Sequence, residues 1–151
     1  MRVLLQRVTH GHVSVDGQIV GSVEQGFVAL VGITHTDTQA IVAQLATKTV
    51  NLRVFNDDAG KMNRSALDVG AGVLVVSQFT LYANARNGRR PDYIQAAKPD
   101  QAAPLVDYFV ECLRAEGITH VSTGVFGAMM QVHIENDGPV TIWLDSADFE
   151  K

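Results

Sequence analysis

Hydrophobic and polar positions alternate loosely through VLLQRVTHGHVSV, residues 3–15, the spacing of a β-strand with one buried face. Asp16-Gly17-Gln18 then offers a hairpin turn, and IVGSV returns along a second strand. The run GFVALVGI, Gly26–Ile33, is apolar without alternation, which predicts a strand covered on both faces. After Asp37 and Thr38, either of which can cap a helix, the period changes. Ile41, Val42, Leu45, Lys48, Thr49 and Leu52 recur at helical spacing, and the polar members leave one side of that helix in water. Phe55–Gly72 is rich in turn residues. VLVVSQFTLYA, Val73–Ala83, is the strongest strand pattern in the chain. A long polar loop, NARNGRRPDYIQAAKPDQ, leads to a second helix predicted over Ala102–Glu116. Leu105, Val106, Phe109, Cys112 and Leu113 form its buried stripe, and Gly117 is its stop. Further strands follow in HVSTGVFGAMMQVHI and VTIWLD, with Gly138 and Pro139 at the junction of the last two.

The order βββ-α-β-α-ββ predicts an α+β fold in one domain, residues 1–151, with two main helices and a mixed or mainly antiparallel sheet. The helices do not alternate with the strands and no G-x-G-x-x-G follows a strand, which argues against a doubly wound architecture. At 46% hydrophobic residues the chain can bury a real core. No apolar run approaches the length of a membrane span, and the N-terminal residues lack a signal-peptide layout. With a lone cysteine, Cys112, no internal disulfide is possible; a cytoplasmic protein is expected. The net charge of −4 argues against a general basic surface for long nucleic acid; contact with RNA would need a local patch.

Candidate chemistry concentrates in two places. The first is SQFT. Ser77, Gln78 and Thr80 put hydrogen-bonding side chains at the end of an apolar strand, where unpaired polar groups are costly. They bond neighbouring loops, or they wall a pocket whose backbone N–H groups, helped by a hydroxyl, hold a developing oxyanion. A nucleophilic Ser77 or Thr80 would need a base in reach; no G-x-S-x-G is present, and none of the histidines, at 10, 12, 35, 120 and 133, lies near either residue in sequence. His10 and His12 share one face of a strand, but two imidazoles make no zinc site. Asp57-Asp58 lacks calcium-loop spacing and reads as a solvated turn. Arg86, Arg89 and Arg90, with Arg53, Lys61 and Arg64, make either solvated loops or a phosphate-binding patch. Phe126 and Met129 in FGAMM are core packing or the lining of a cleft. The second place is NDGPV. As a turn it is ordinary. Yet Gly138 permits close approach to the backbone, and Pro139 offers a carbonyl on a stiff frame, the sort of rigid wall that rejects one ligand shape.

SQFTLYA and NDGPVT together, with NLRVFND, GKMNRS, GRRP, TGVFGAMM and the opening RVLLQRV around them, make the chain resemble the D-aminoacyl-tRNA deacylases, also called D-tyrosyl-tRNA deacylases, over essentially its full length. The resemblance implies a barrel-like sheet in a homodimer. It implies an active site at the subunit interface, where Ser77, Gln78, Phe79 and Thr80 of one subunit meet a cis Gly138-Pro139 of the other. It implies hydrolysis of the ester of D-aminoacyl-tRNA, with L-aminoacyl groups refused by the Gly-Pro carbonyls. Glycyl-tRNA, including glycine mischarged on tRNA-Ala, would pass the same filter. Arg7, Phe126 and Met129 would adjoin the bound aminoacyl group. Neither cofactor nor metal is implied, and the 2′-hydroxyl of the substrate assists the reaction. The partner is the 3′ end of aminoacyl-tRNA, not a membrane.

Overall fold

The computed structural model describes residues 1–150. Its strands are β1 (Arg2–Val15), β2 (Gln18–Val23), β3 (Gly26–Gly32), β4 (Phe55–Asn56), β5 (Met62–Arg64), β6 (Gly72–Ser77), β7 (Val121–Thr123) and β8 (Gln131–Asp145). Its α-helices are α1 (Gln39–Asn51), α2 (Ala66–Val69) and α3 (Pro99–Ala115). Strand β1 is the spine. Its first half pairs with β3 and its second half with β2, while β8 runs antiparallel to it along nearly its whole length. Strands β3, β6 and β7 are mutually parallel neighbours. The order β2-β1-β3-β6-β7 curls until β2 meets β7. There the Ser22 amide donates to Ser122 Oγ at 3.1 Å. Gly21 is required at this seam, since a Cβ on it would lie 2.2 Å from the Thr123 carbonyl oxygen. The result is a mixed α+β fold around a nearly closed barrel.

Helices α1 and α3 cover one face of the sheet. Val42, Leu45 and Val50 of α1 and Val106, Phe109 and Leu113 of α3 pack on Val3, Leu5, Phe27, Val73 and Val75. The opposite face buries Val8, Val13, Val28, Leu74 and Val76. Strands β3 and β6 are thus covered on both sides, which is why their sequences run apolar without alternation. Thr38 is the N-cap of α1, accepting from the Ile41 amide. Asp37 has another task. Its carboxylate is buried against the Met1 α-ammonium, at 2.5 Å, and accepts from the Thr34 amide at 2.7 Å. Ser146 Oγ accepts from the same ammonium at 2.7 Å, tying the start of β1 to the end of β8.

Four sequence expectations change. The strand predicted over Val73–Ala83 stops at Ser77, and Phe79–Tyr82 forms a 3₁₀ turn. A tertiary contact holds that turn: the Arg2 guanidinium donates to the Leu81 carbonyl at 2.9 Å and lies 4.4 Å from the Tyr82 ring centre. Helix α3 starts earlier, at Pro99, because proline's missing N–H costs nothing at the first helical position. The turn-rich segment holds α2, closed by a reciprocal Ser65–Asp68 capping box, and a β4–β5 hairpin whose turn is tied by Asp57. Lastly, Gly138-Pro139 is no turn between two strands. Both halves of β8 pair with β1, Val8 opposite Asn136 and Gln6 opposite Thr141, so residues 137–140 bulge out opposite Arg7.

His10 and His12 do share a face of β1. His12 stands opposite His133 of β8, rings stacked at 4.2 Å, and His10 Nε2 lies 3.1 Å from His12 Nδ1. Among the described residues no group of three or more ligating side chains is arranged to hold a metal ion. Partial burial, then the charges of His133 and His10, hold the His12 imidazole below its ordinary range. A depressed histidine stabilises the fold above its unfolded pKa of about 6.5, and that contribution is lost as pH falls through it. Amide exchange in Gln131–Ile134 is therefore expected to quicken between pH 7 and 5 more than in Thr141–Leu144, and His12→Gln should abolish the difference. Equal pH responses in both halves of β8 would refute this.

Candidate active site

Strands β3 and β6 end together, with Val31 opposite Ser77. Beyond their carboxyl ends, where parallel neighbours commonly leave a crevice, lies a cavity of about 590 Å³. Ser77, Gln78 and Phe79 form one wall, Tyr93 a second, and Phe126 and Met129 a third. Phe79 and Tyr93 meet edge to face at 5.1 Å. Met129 is 91% exposed at the rim. Thr80 follows directly, solvent-exposed, and its hydroxyl accepts a hydrogen bond from the Gln78 side-chain amide.

The Phe79–Tyr82 turn begins with two free donors. Its first internal bond runs from the Leu81 amide to the Gln78 carbonyl at 3.2 Å, and the amides of Phe79 and Thr80 donate to no acceptor among the described residues. Two adjacent unpaired N–H groups beside an apolar cavity can stabilise an oxyanion on a bound carbonyl. No imidazole bonds Ser77 or Thr80. His35 meets the Ile94 carbonyl, His120 the Ser22 carbonyl, and the other three sit together on β1 and β8. A Ser-His or Thr-His pair is thus absent from the described residues.

The remaining predicted residues lie elsewhere. Arg7 is buried on β1 and does not line the cavity. Its Nη1 donates to the Val54 carbonyl at 2.8 Å, and its Nε lies 3.3 Å from both the carbonyl and a carboxylate oxygen of Asp137. It is a strut under the bulge that displays Gly138 and Pro139, both exposed. The Gly138-Pro139 bond is cis, and Gly138 has a φ of +121°. A Cβ on Gly138 would sit 2.8 Å from Val140 Cγ2 and 2.9 Å from the Val140 amide nitrogen, so only glycine fits. Register separates the two places. Arg7 is opposite Phe27, Phe27 opposite Val73, and Ser77 is four residues further along β6. The bulge itself is one strand beyond Arg7, on β8, and at standard strand rise and spacing the separation is roughly 20 Å. Within one chain, then, the predicted site falls into two halves.

A model of the family described as D-Tyr-tRNA(Tyr) deacylase matches residues 4–145. The chain belongs to that family. It is 62% identical over 148 residues to the D-aminoacyl-tRNA deacylase of Thermomicrobium roseum, covering 98% of this chain and 96% of that protein. It is 56% identical to the protein of the same name from Thermus aquaticus, covering 98% and 97%. Among solved structures, that of a c-Myc DNA Unwinding Element Binding Protein is 41% identical with a TM-score of 0.91, covering 96% of this chain and 98% of that one. A probable eukaryotic D-amino acid tRNA deacylase shares the fold, with a TM-score of 0.81 at 20% identity over 95% of this chain and 97% of that one. The matched stretch includes both SQFT and the Gly138-Pro139 bulge. Sequence reasoning missed Tyr93 as a wall of the cavity; its one signal was an aromatic residue in an otherwise polar loop.

Proposed function

We propose that the protein hydrolyses the ester of D-aminoacyl-tRNA, releasing the D-amino acid and free tRNA, as a proofreading enzyme of translation in the cytoplasm. The observation that carries this reading is the pair of unpaired amides, Phe79 and Thr80, at the mouth of a cavity that holds no imidazole base. Water attacks the ester carbonyl, the oxyanion is held by the two amides, and collapse expels the ribose 3′-oxygen, which takes a proton. Gln78 orients the Thr80 hydroxyl towards substrate or water. With no histidine, carboxylate or lysine among the described residues that line the cavity, the neighbouring 2′-hydroxyl of the substrate assists, and the protein supplies position and electrostatics.

The Gly138-Pro139 bulge acts as the stereochemical filter. Its position roughly 20 Å from Ser77 along the sheet supports a two-fold dimer in which each bulge enters the partner's cavity. The cross-strand pair of Leu4 and half-exposed Trp143, with Leu30 beside it, gives such a dimer an apolar face to cover. Carbonyls without side chains exclude an L side chain and leave room for a D one. Glycine passes too, which makes glycyl-tRNA, including glycine mischarged on tRNA-Ala, a second substrate. A nucleic-acid-binding protein without turnover is the rival, favoured by the likeness to the 41% identical protein named for binding a DNA unwinding element; the net charge of −4 speaks against duplex binding.

The test is release from D-Tyr-tRNA, L-Tyr-tRNA and Gly-tRNA by the wild type and Gly138→Ala. The wild type should cleave the first and third and spare the second. Gly138→Ala, forced to shift the bulge, should lose about 10²-fold in kcat/KM on D-Tyr-tRNA and lose discrimination. Tight tRNA binding with no release from any substrate would hand the case to the rival.

A further inference from the structure

The chain carries two clusters of cationic side chains, and the structure sets them apart. Arg53, Lys61 and Arg64 flank the β4–β5 hairpin, where they are matched by Asp57, Asp58 and Asp68. Two of them are already engaged. Arg53 Nε donates to the Asn63 carbonyl at 2.8 Å, and Arg64 Nη2 to the Asp68 carbonyl at 2.8 Å. The other cluster, Arg86, Arg89 and Arg90, lies on the loop between Asn84 and Asp92. All three are exposed, and among the described residues no guanidinium of the three forms an ion pair or a hydrogen bond; only the Arg86 backbone amide is engaged, donating to Asn84 Oδ1 at 3.2 Å. Asp92 is the loop's one acidic residue, so the loop is net positive on a protein of charge −4.

The loop is also held in place. Asn84 and Asp92 exchange backbone hydrogen bonds at 2.8 and 3.0 Å. One foot leaves the 3₁₀ turn that begins with Phe79; the other enters Tyr93, and these two rings meet at the cavity wall. The loop that carries the unpaired guanidiniums is therefore rooted in the wall of an aromatic-lined cavity. That is the pairing of charge and stacking surface that suits single-stranded RNA, with a base on the rings and phosphates on the arginines. Guanidinium is the cation that matches phosphate oxygens two at a time.

We infer that Arg86, Arg89 and Arg90 bind the phosphodiesters of the single-stranded RNA end whose last nucleoside occupies the cavity, and that Arg53, Lys61 and Arg64 do not. The inference rests on the deacylase reading for its substrate, but its binding arm is independent of turnover. The experiment compares wild type, the triple variant Arg86/Arg89/Arg90→Gln, the same triple to Lys, and Arg53/Lys61/Arg64→Gln. KM and kcat are measured on D-Tyr-tRNA and on the D-tyrosyl ester of adenosine, which has no phosphate, and uncharged tRNA binding is measured across a salt series.

For the loop Gln variant, KM on tRNA should rise about tenfold or more at moderate salt, with kcat kept and the loss confined to the substrate that carries phosphates. The slope of log affinity against log salt should flatten by about 2, the value for three single-strand phosphate contacts. The Lys variant should recover the slope and part of the affinity; the hairpin variant should match wild type. An unchanged KM and slope in the loop Gln variant would overturn the inference, as would an equal loss on the adenosine ester. If wild type cleaves neither ester, the deacylase reading falls, and the salt slopes for uncharged tRNA still decide the loop's role.

Discussion

Phe79→Pro is expected to lower kcat on D-Tyr-tRNA by about 10²–10³-fold relative to Phe79→Ala, the cost of removing one oxyanion donor. The substitution suits the site. Phe79 is the first residue of its 3₁₀ turn, and Gln78 before it already has a non-helical backbone, with φ −145° and ψ 79°. Proline is tolerated where the N–H has no intrahelical acceptor, and the Phe79 amide has none. Both variants lose the ring, which is 55% exposed, so their ratio isolates the N–H. KM should be similar in the two, because the donor acts on charge that develops only in the transition state. Equal kcat values in folded Phe79→Pro and Phe79→Ala would remove the Phe79 amide from the mechanism and leave the cavity as a binding site only.

Asp37→Ala should cost about 3–5 kcal/mol, since it strands a buried charge. The Met1 ammonium and the Asp37 side chain are 0% and 1% exposed, and their contact is 2.5 Å. Removing the carboxylate also orphans the Thr34 amide. Thr34 bridges to Ala96, and the Ala97 amide donates to the Ile33 carbonyl at 2.9 Å, so the damage reaches the floor of the cavity. Set against a typical domain stability of about 5–15 kcal/mol, this loss should be plain in a urea titration. Asp37→Asn, which keeps an acceptor for Thr34, should fall between the two. A midpoint for Asp37→Ala within error of wild type would mean that Ser146 and water satisfy the ammonium alone.

The elements that the sequence predicted well are those whose pattern arises from one neighbour. The apolar run of β3 and the helical stripe of α3 report burial directly, because each side chain's environment follows from the period of its own element. The elements it misjudged are those fixed by distant residues. FTLY reads as strand by composition, yet Arg2 turns it back through the Leu81 carbonyl and the Tyr82 ring. NDGPV reads as a hairpin by turn chemistry, yet β1 is long enough to pair with both flanks and leave it as a bulge held by Arg7. Asp37 and Thr38 look equivalent as caps; only the arrival of the Met1 ammonium gives the carboxylate one role and the hydroxyl the other.

The same division holds for the site. Its residue types were legible in the sequence alone: SQFT and NDGPVT are the strings on which the resemblance rests, while long-range contacts bend one into a 3₁₀ turn and the other into a bulge. Where those shapes stand was decided only by the tertiary structure. Strand register sets SQFT and the Gly-Pro bulge at separate places on one sheet, and loop closure at Asn84 and Asp92 roots a loop with three unpaired arginines next to Tyr93 in the cavity wall. Register and loop closure are long-range pairings. Their energies depend on which strands meet, and a one-dimensional pattern of polar and apolar residues records which face is buried without recording against what.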